Sequence, residues 1–97
     1  MKWPAVIRPR AEVDLEEAKN WYERRREGLG REFVLAVRQT IRVLQDNPER
    51  HPPYYRDFRR ALLRRFPFKV FYRMEADRII IFRVLHHKQD HRLWLPE

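Results

Sequence analysis

The 97-residue sequence predicts an α+β domain, a helical hairpin packed on an antiparallel sheet in the order β-α-α-β-β-β. Three observations predict it. Two stretches before residue 47 carry apolar residues at helical spacing. Three stretches after residue 57 read as strands. Gly28, Gly30, Pro48 and Pro67 stand between these segments as punctuation. One domain, residues 1–97, accounts for the whole length.

Trp3 to Ile7 is a short apolar stretch ending before Pro9, read as a first strand. In the first helix Leu15, Ala18, Tyr22 and Leu29 recur near helical spacing. Glu12, Asp14, Glu16 and Glu17 crowd its start and Arg24, Arg25 and Arg26 its end, an order that complements the helix macrodipole. Gly28 and Gly30 supply a stop and a tight connection. The second helix is expected from about residue 31 to 46, with Phe33, Val37, Ile41 and Leu44 as its apolar stripe. Asn47-Pro48 ends it, because proline cannot donate the next helical bond.

Residues 48–57, with Pro48, Pro52 and Pro53, are expected as a loop that exposes Tyr54 and Tyr55. Strands are expected near 58–65, 67–75 and 78–87. In the middle one, Phe68, Val70, Tyr72 and Met74 alternate with Lys69, Phe71, Arg73 and Glu75, which predicts one buried and one mixed face. The last strand is apolar at nearly every residue from Ile79 to Leu85, so it belongs at the centre of the sheet. Trp94, in the short tail, is expected to fold back onto the core. Trp21, Tyr22 and Phe33 are expected in core or inter-helix packing.

The net charge is +8. Residues 1–48 hold ten Lys/Arg and eight acids, net +2; residues 49–97 hold twelve and six, net +6. Between Arg56 and Arg73 stand seven cations and one acid, Asp57. Cations this dense on sheet-forming segments point to a basic face that meets an anionic partner, against the plainer reading of a solubilising surface. The chain has no cysteine, which fits a reducing compartment, and no apolar run near the ~20 residues of a membrane span. These features predict a cytoplasmic protein with no membrane partner. No P-loop, G-x-G-x-x-G, G-x-S-x-G or H-E-x-x-H occurs, and no His/carboxylate set has metal-ligand spacing. No cofactor and no metal are expected.

Asp14-Leu15-Glu16-Glu17-Ala18, Trp21-Tyr22-Glu23, Gly28-Leu29-Gly30, Phe33, Asn47-Pro48 and His51-Pro52 come in a characteristic order. Arg59-Arg60, Leu63, Arg65-Phe66-Pro67-Phe68, Val70-Phe71-Tyr72, Ile79-Ile80-Ile81, Val84-Leu85-His86 and Trp94 continue it. In this order the sequence resembles the RelE/ParE superfamily of type II toxins over nearly its full length. The resemblance implies the same fold, growth inhibition, a role in plasmid stabilisation, and a cognate antitoxin that masks the toxin and supplies DNA contact. It implies one of two targets. ParE-like members poison DNA gyrase; RelE-like members cut messenger RNA in the ribosome.

Metal-free RNA cleavage needs a base, an acid and cations around the phosphate. If the chain is a ribonuclease, Arg65, Lys69, His86 and His87 are the candidates, with His91 a further imidazole. Gln89 stands where the family's final strand is often followed by an arginine, and glutamine cannot neutralise a phosphate. The ParE-like reading is therefore preferred, and whether the chain is an enzyme stays open. Arg59, Arg60, Arg64, Arg65, Lys69 and Arg73 are the expected contacts to antitoxin and target.

Overall fold

The computed structural model describes residues 2–96. The chain runs β1 (Ala5–Ile7), α1 (Pro9–Arg25), α2 (Leu29–Asp46), a 3-10 turn (Pro48–Arg50), β2 (Pro53–Tyr55), β3 (Phe58–Leu62), β4 (Phe68–Glu75), β5 (Arg78–His86) and a one-turn α3 (His91–Trp94). The five strands form one sheet in the order β1-β5-β4-β3-β2. The helical hairpin covers one face.

The expected layers are present, with two additions. β1 lies parallel to β5, pairing Ala5, Val6 and Ile7 with Ile79, Ile80 and Ile81, so the sheet is mixed rather than antiparallel throughout. β2 falls inside the expected loop. Pro53 is tolerated there because β2 is an edge strand, where a missing N–H costs no ladder bond. β5 takes the central place that its unbroken apolar run demanded, between β1 and β4.

Pro9 sits in the first turn of α1, where its missing N–H has no helical partner to lose. Glu12 lies in that turn and Arg24 and Arg25 in the last, as the dipole favours. Gly28 turns the chain at φ +86°, a left-handed conformation that suits glycine. Glu23 of α1 then accepts from the N–H groups of Gly28 (2.9 Å) and Gly30 (3.0 Å). It satisfies two donors that the start of α2 would otherwise leave bare. Gly30 is thus not part of the connection but of α2, and a Cβ there would lie 2.5 Å from the Lys19 carbonyl oxygen. The two helices touch backbone to backbone at this point.

The stripe Phe33, Val37, Ile41 and Leu44 is buried against the sheet. Tyr22, Phe33, Phe66 and Phe68 form an aromatic knot with centroids 4.9 to 6.1 Å apart, mostly edge to face. Trp21 departs from expectation: it is 45% exposed, with Arg25 stacked 3.8 Å over its ring. In the tail Leu95, not Trp94, is the buried residue.

The opposite sheet face holds a second, smaller core of Phe58, Phe71, Ile80, Phe82, Leu85 and Leu95. For this reason β4 is buried on both faces from Phe68 to Tyr72, where one mixed face was expected. β3 ends at Leu62 rather than 65; residues 63–67 turn, closed by the Leu63 N–H donating to the Phe68 carbonyl (3.0 Å). No helix among the described residues is long and apolar enough to cross a membrane.

Candidate functional site

Residues directly opposite in an antiparallel pair share a sheet face, so the register sorts the basic segment. Arg60 pairs with Phe71 and Leu62 with Lys69. Lys69 in turn pairs with Leu85. Phe71 and Leu85 belong to the smaller core, which puts Arg60, Leu62 and Lys69 on the face away from the helices. Arg59 pairs with Tyr72, a residue of the helix-side core, and donates to the His51 carbonyl (2.6 Å).

Tyr54, Tyr55 and α3 build the wall of this outer face. Asp90 caps α3 by accepting from the Arg92 N–H (3.0 Å). That cap fixes His91 with its ring centroid 5.1 Å from Tyr54, 4.8 Å from Tyr55 and 5.6 Å from Phe71. The Arg60 guanidinium lies 3.7 Å over the Tyr54 ring. Lys69 Nζ sits 5.6 Å from the Phe71 ring centroid.

Lys69 is 7% exposed, yet its ammonium makes no hydrogen bond or ion pair among the described residues. Loss of water pushes its pKa below the ordinary lysine value, and Arg60 pushes the same way; Asp90 opposes them. Burial likewise lowers His91, helped by the charge of Lys69. The imidazole is therefore held neutral at pH 7 beside a reluctant ammonium. Two cations, a neutral imidazole and aromatic walls gather here around little negative charge, since Asp90 is already held by the Arg92 side chain (3.0 and 3.1 Å).

The other expected residues lie elsewhere. Arg65 is exposed in the 63–67 turn and ion-pairs with Glu32 of α2. Arg64 is exposed in the same turn. Arg73 shares the outer face but is neutralised by Glu75 (2.9 Å) and Asp57 (3.4 Å), lying over Phe58 and Phe82. His86 pairs with Phe68 and stacks on it (5.2 Å) on the helix side, and His87 is exposed beyond it. The six basic candidates therefore do not share one groove. Of the four ribonuclease candidates only Lys69 stands on the outer face. Among the described residues no group of three acidic or imidazole side chains is placed to hold a metal.

A second charged centre was missed. Arg83 donates to both oxygens of Asp14 (2.7 and 2.8 Å) and to the Trp94 carbonyl (3.0 Å). The Val84 N–H also donates to Asp14 (3.0 Å). A β-bulge makes this possible: Phe71 opposes Arg83 while Tyr72 opposes Ile81, leaving Phe82 as the extra residue. Ile81 and Val84 consequently both face the helices.

A family model described as the ParE toxin of the type II toxin–antitoxin system matches residues 5–91. The chain belongs to this ParE toxin family. No curated protein matches the sequence. Two solved structures share the ParE-like fold. One is described as a chromosomal ParDE toxin–antitoxin system from P. aeruginosa: 19% identity, 88% of this chain and 96% of that one, TM-score 0.79. The other is the toxin–antitoxin complex RelBE2 from Mycobacterium tuberculosis: 21% identity, 89% of this chain and 99% of that one, TM-score 0.64. Both matches show the same fold over most of this chain.

Proposed function

We propose that this ParE family toxin acts by binding a large protein target, DNA gyrase, and not by cutting RNA. The observation that carries the reading is the dispersal of the ribonuclease candidates. Arg65 is tied to α2, His86 faces the helix side and His87 points to solvent, so of those four candidates Lys69 alone stands on the outer face, and the imidazole beside it, His91, is packed against Tyr54, Tyr55 and Phe71. General acid–base cleavage needs those groups within hydrogen-bond reach of one phosphate. Family membership supports the same side.

A cognate antitoxin masks the toxin in this reading, as the two similar structures are themselves toxin–antitoxin complexes. A cleft of about 940 Å³ between α1 and α2 suits an amphipathic segment. Leu15, Val34 and Ile41 line its floor, and Lys19, Arg31 and Arg38 stand on its rim. Arg60, Lys69 and Arg64 are the outer-face and turn cations proposed to meet the antitoxin or the target. DNA is reached only through the antitoxin.

Gyrase supercoiling with excess toxin tests the proposal, alongside a translation extract in which messenger ends are mapped. Blocked supercoiling with intact messengers is expected. Normal supercoiling, or cuts in codon register, would overturn it.

A further inference from the structure

Lys69 is a feature of the outer face that packing alone does not explain. A lysine this deeply buried normally carries a partner, because withdrawing an ammonium from water costs free energy. Here Arg60 stands close enough to lower its pKa further, and Asp90, the one carboxylate among the described residues that acts on it, is held by Arg92. Among the described residues no sealed side-chain nitrogen lacks a partner, so the partnerless Nζ keeps an opening to solvent. A cation pair with an open path and no free anion among the described residues is suited to take an anion from outside.

We propose that Lys69 and Arg60 form a seat for a carboxylate side chain from an acidic, partly apolar peptide segment of a protein partner. The inference rests on the reading of a protein-binding toxin and names the chemistry that one contact takes. Three observations favour a carboxylate peptide over a nucleic-acid phosphate. Lys69 is only 7% exposed, so an oxyanion on a slender tether reaches it more readily than a phosphodiester flanked by two sugars. Tyr54, the exposed ring at the rim, is stacked under Arg60 and met edge-on by His91, which leaves little ring face for a base. Leu62, directly across from Lys69, is 48% exposed on the same face and offers an apolar contact beside the charge. A segment alternating acid and apolar residues matches that surface.

The probe is an acetylated, amidated peptide alternating Glu and Leu, titrated into the full chain, with a uridine oligonucleotide of equal length in parallel. Lys69→Met is expected to weaken peptide binding about tenfold or more, the scale of a lost charge-assisted hydrogen bond. Arg60→Gln should follow the same direction. Arg24→Gln, at the exposed end of α1, should stay within about twofold, since one screened surface charge contributes little. Unchanged peptide affinity in Lys69→Met overturns the proposal. So does an oligonucleotide that binds as tightly as the peptide and loses as much on that substitution.

The wild-type protein gives a readout that needs no variant to fold. Its lysines are Lys2, Lys19, Lys69 and Lys88, so four side-chain ammonium signals suffice to follow the site by NMR. The Lys69 signal should move most on peptide addition, and a Lys69 signal that stays still overturns the seat. Loss of gyrase inhibition alone would sink the target reading and leave this outcome untouched.

Discussion

Arg83 and Lys69 are withdrawn from water to nearly the same degree, 6% and 7% exposed, on adjacent strands of one sheet. Their surroundings are opposite. Arg83 has a carboxylate fork, a carbonyl and a helix packed over it, and its hydrogen bonds to Asp14 raise its pKa. Lys69 has an aromatic ring, a neighbouring cation and an opening. The first arrangement is closed: every strong acceptor that Arg83 needs is supplied by the chain itself. The second is incomplete. Burial alone therefore does not tell a structural charge from an interacting one; the state of its hydrogen bonds does.

The sharpest way to break the comparison is to make Arg83 resemble Lys69. Asp14→Ala strands a buried guanidinium and also orphans the Val84 N–H. Removing one member of a buried pair typically costs about 3 to 5 kcal/mol, and that loss is expected in urea unfolding. Replacing both partners, Asp14→Leu with Arg83→Met, should recover most of it, because no unpaired charge then remains. A single Asp14→Ala protein as stable as wild type would mean that Arg83 finds water, and the two cations would cease to differ.

The helical cover that seals Arg83 can be loosened instead. Gly30→Ala places a Cβ 2.5 Å from the Lys19 carbonyl oxygen, a backbone atom that cannot swing aside. Alanine gains about 1 kcal/mol in helix propensity over glycine. Forcing α1 and α2 apart costs about 1 to 3 kcal/mol, as overpacking generally does. A net loss on the order of 1 kcal/mol is expected by thermal unfolding, with the outer face unaffected. A stabilised Gly30→Ala protein would show that the hairpin has slack.

How much of this was written in the sequence follows the range of each interaction. The stripe Phe33, Val37, Ile41 and Leu44 is local and periodic, and it is buried as read. The central place of β5 was legible because an unbroken apolar run tolerates no wet face. Asp14 was read as one more acid at a helix start; its real partner is 69 residues away, and no spacing rule reaches that far. β2 was hidden behind Pro52-Pro53, since proline argues against a strand unless the strand is an edge. The basic segment looked like one surface because charge in sequence carries no face. A turn at 63–67 removes Arg64 and Arg65 from the strand, and pairing sends Arg59 to the helix side. His91 was named only as a spare imidazole. Its place against Tyr54, Tyr55 and Phe71 depends on a tail returning across the sheet, which no local pattern announces.

The smallest effect tests the other half of the comparison and has the opposite sign. Lys69→Met removes a buried ammonium that has no partner, so the free protein should gain stability, by up to about 1 kcal/mol near neutral pH. The pH dependence follows from the direction of the shift. Lys69 titrates below its ordinary 10.5 in the folded chain. As pH rises from the folded pKa toward that value, the unfolded chain holds more protons than the native one, and wild-type stability therefore increases relative to the variant. Lys69→Met should accordingly lead wild type at pH 7, and the gap should narrow toward about pH 10. Tyr72, pushed up to about 12 by burial, weakens both proteins equally above its unfolded pKa and cancels in the difference. Paired urea titrations at several pH values measure the gap. A variant less stable than wild type at pH 7 would mean that the ammonium is satisfied after all, and that Lys69 belongs with Arg83.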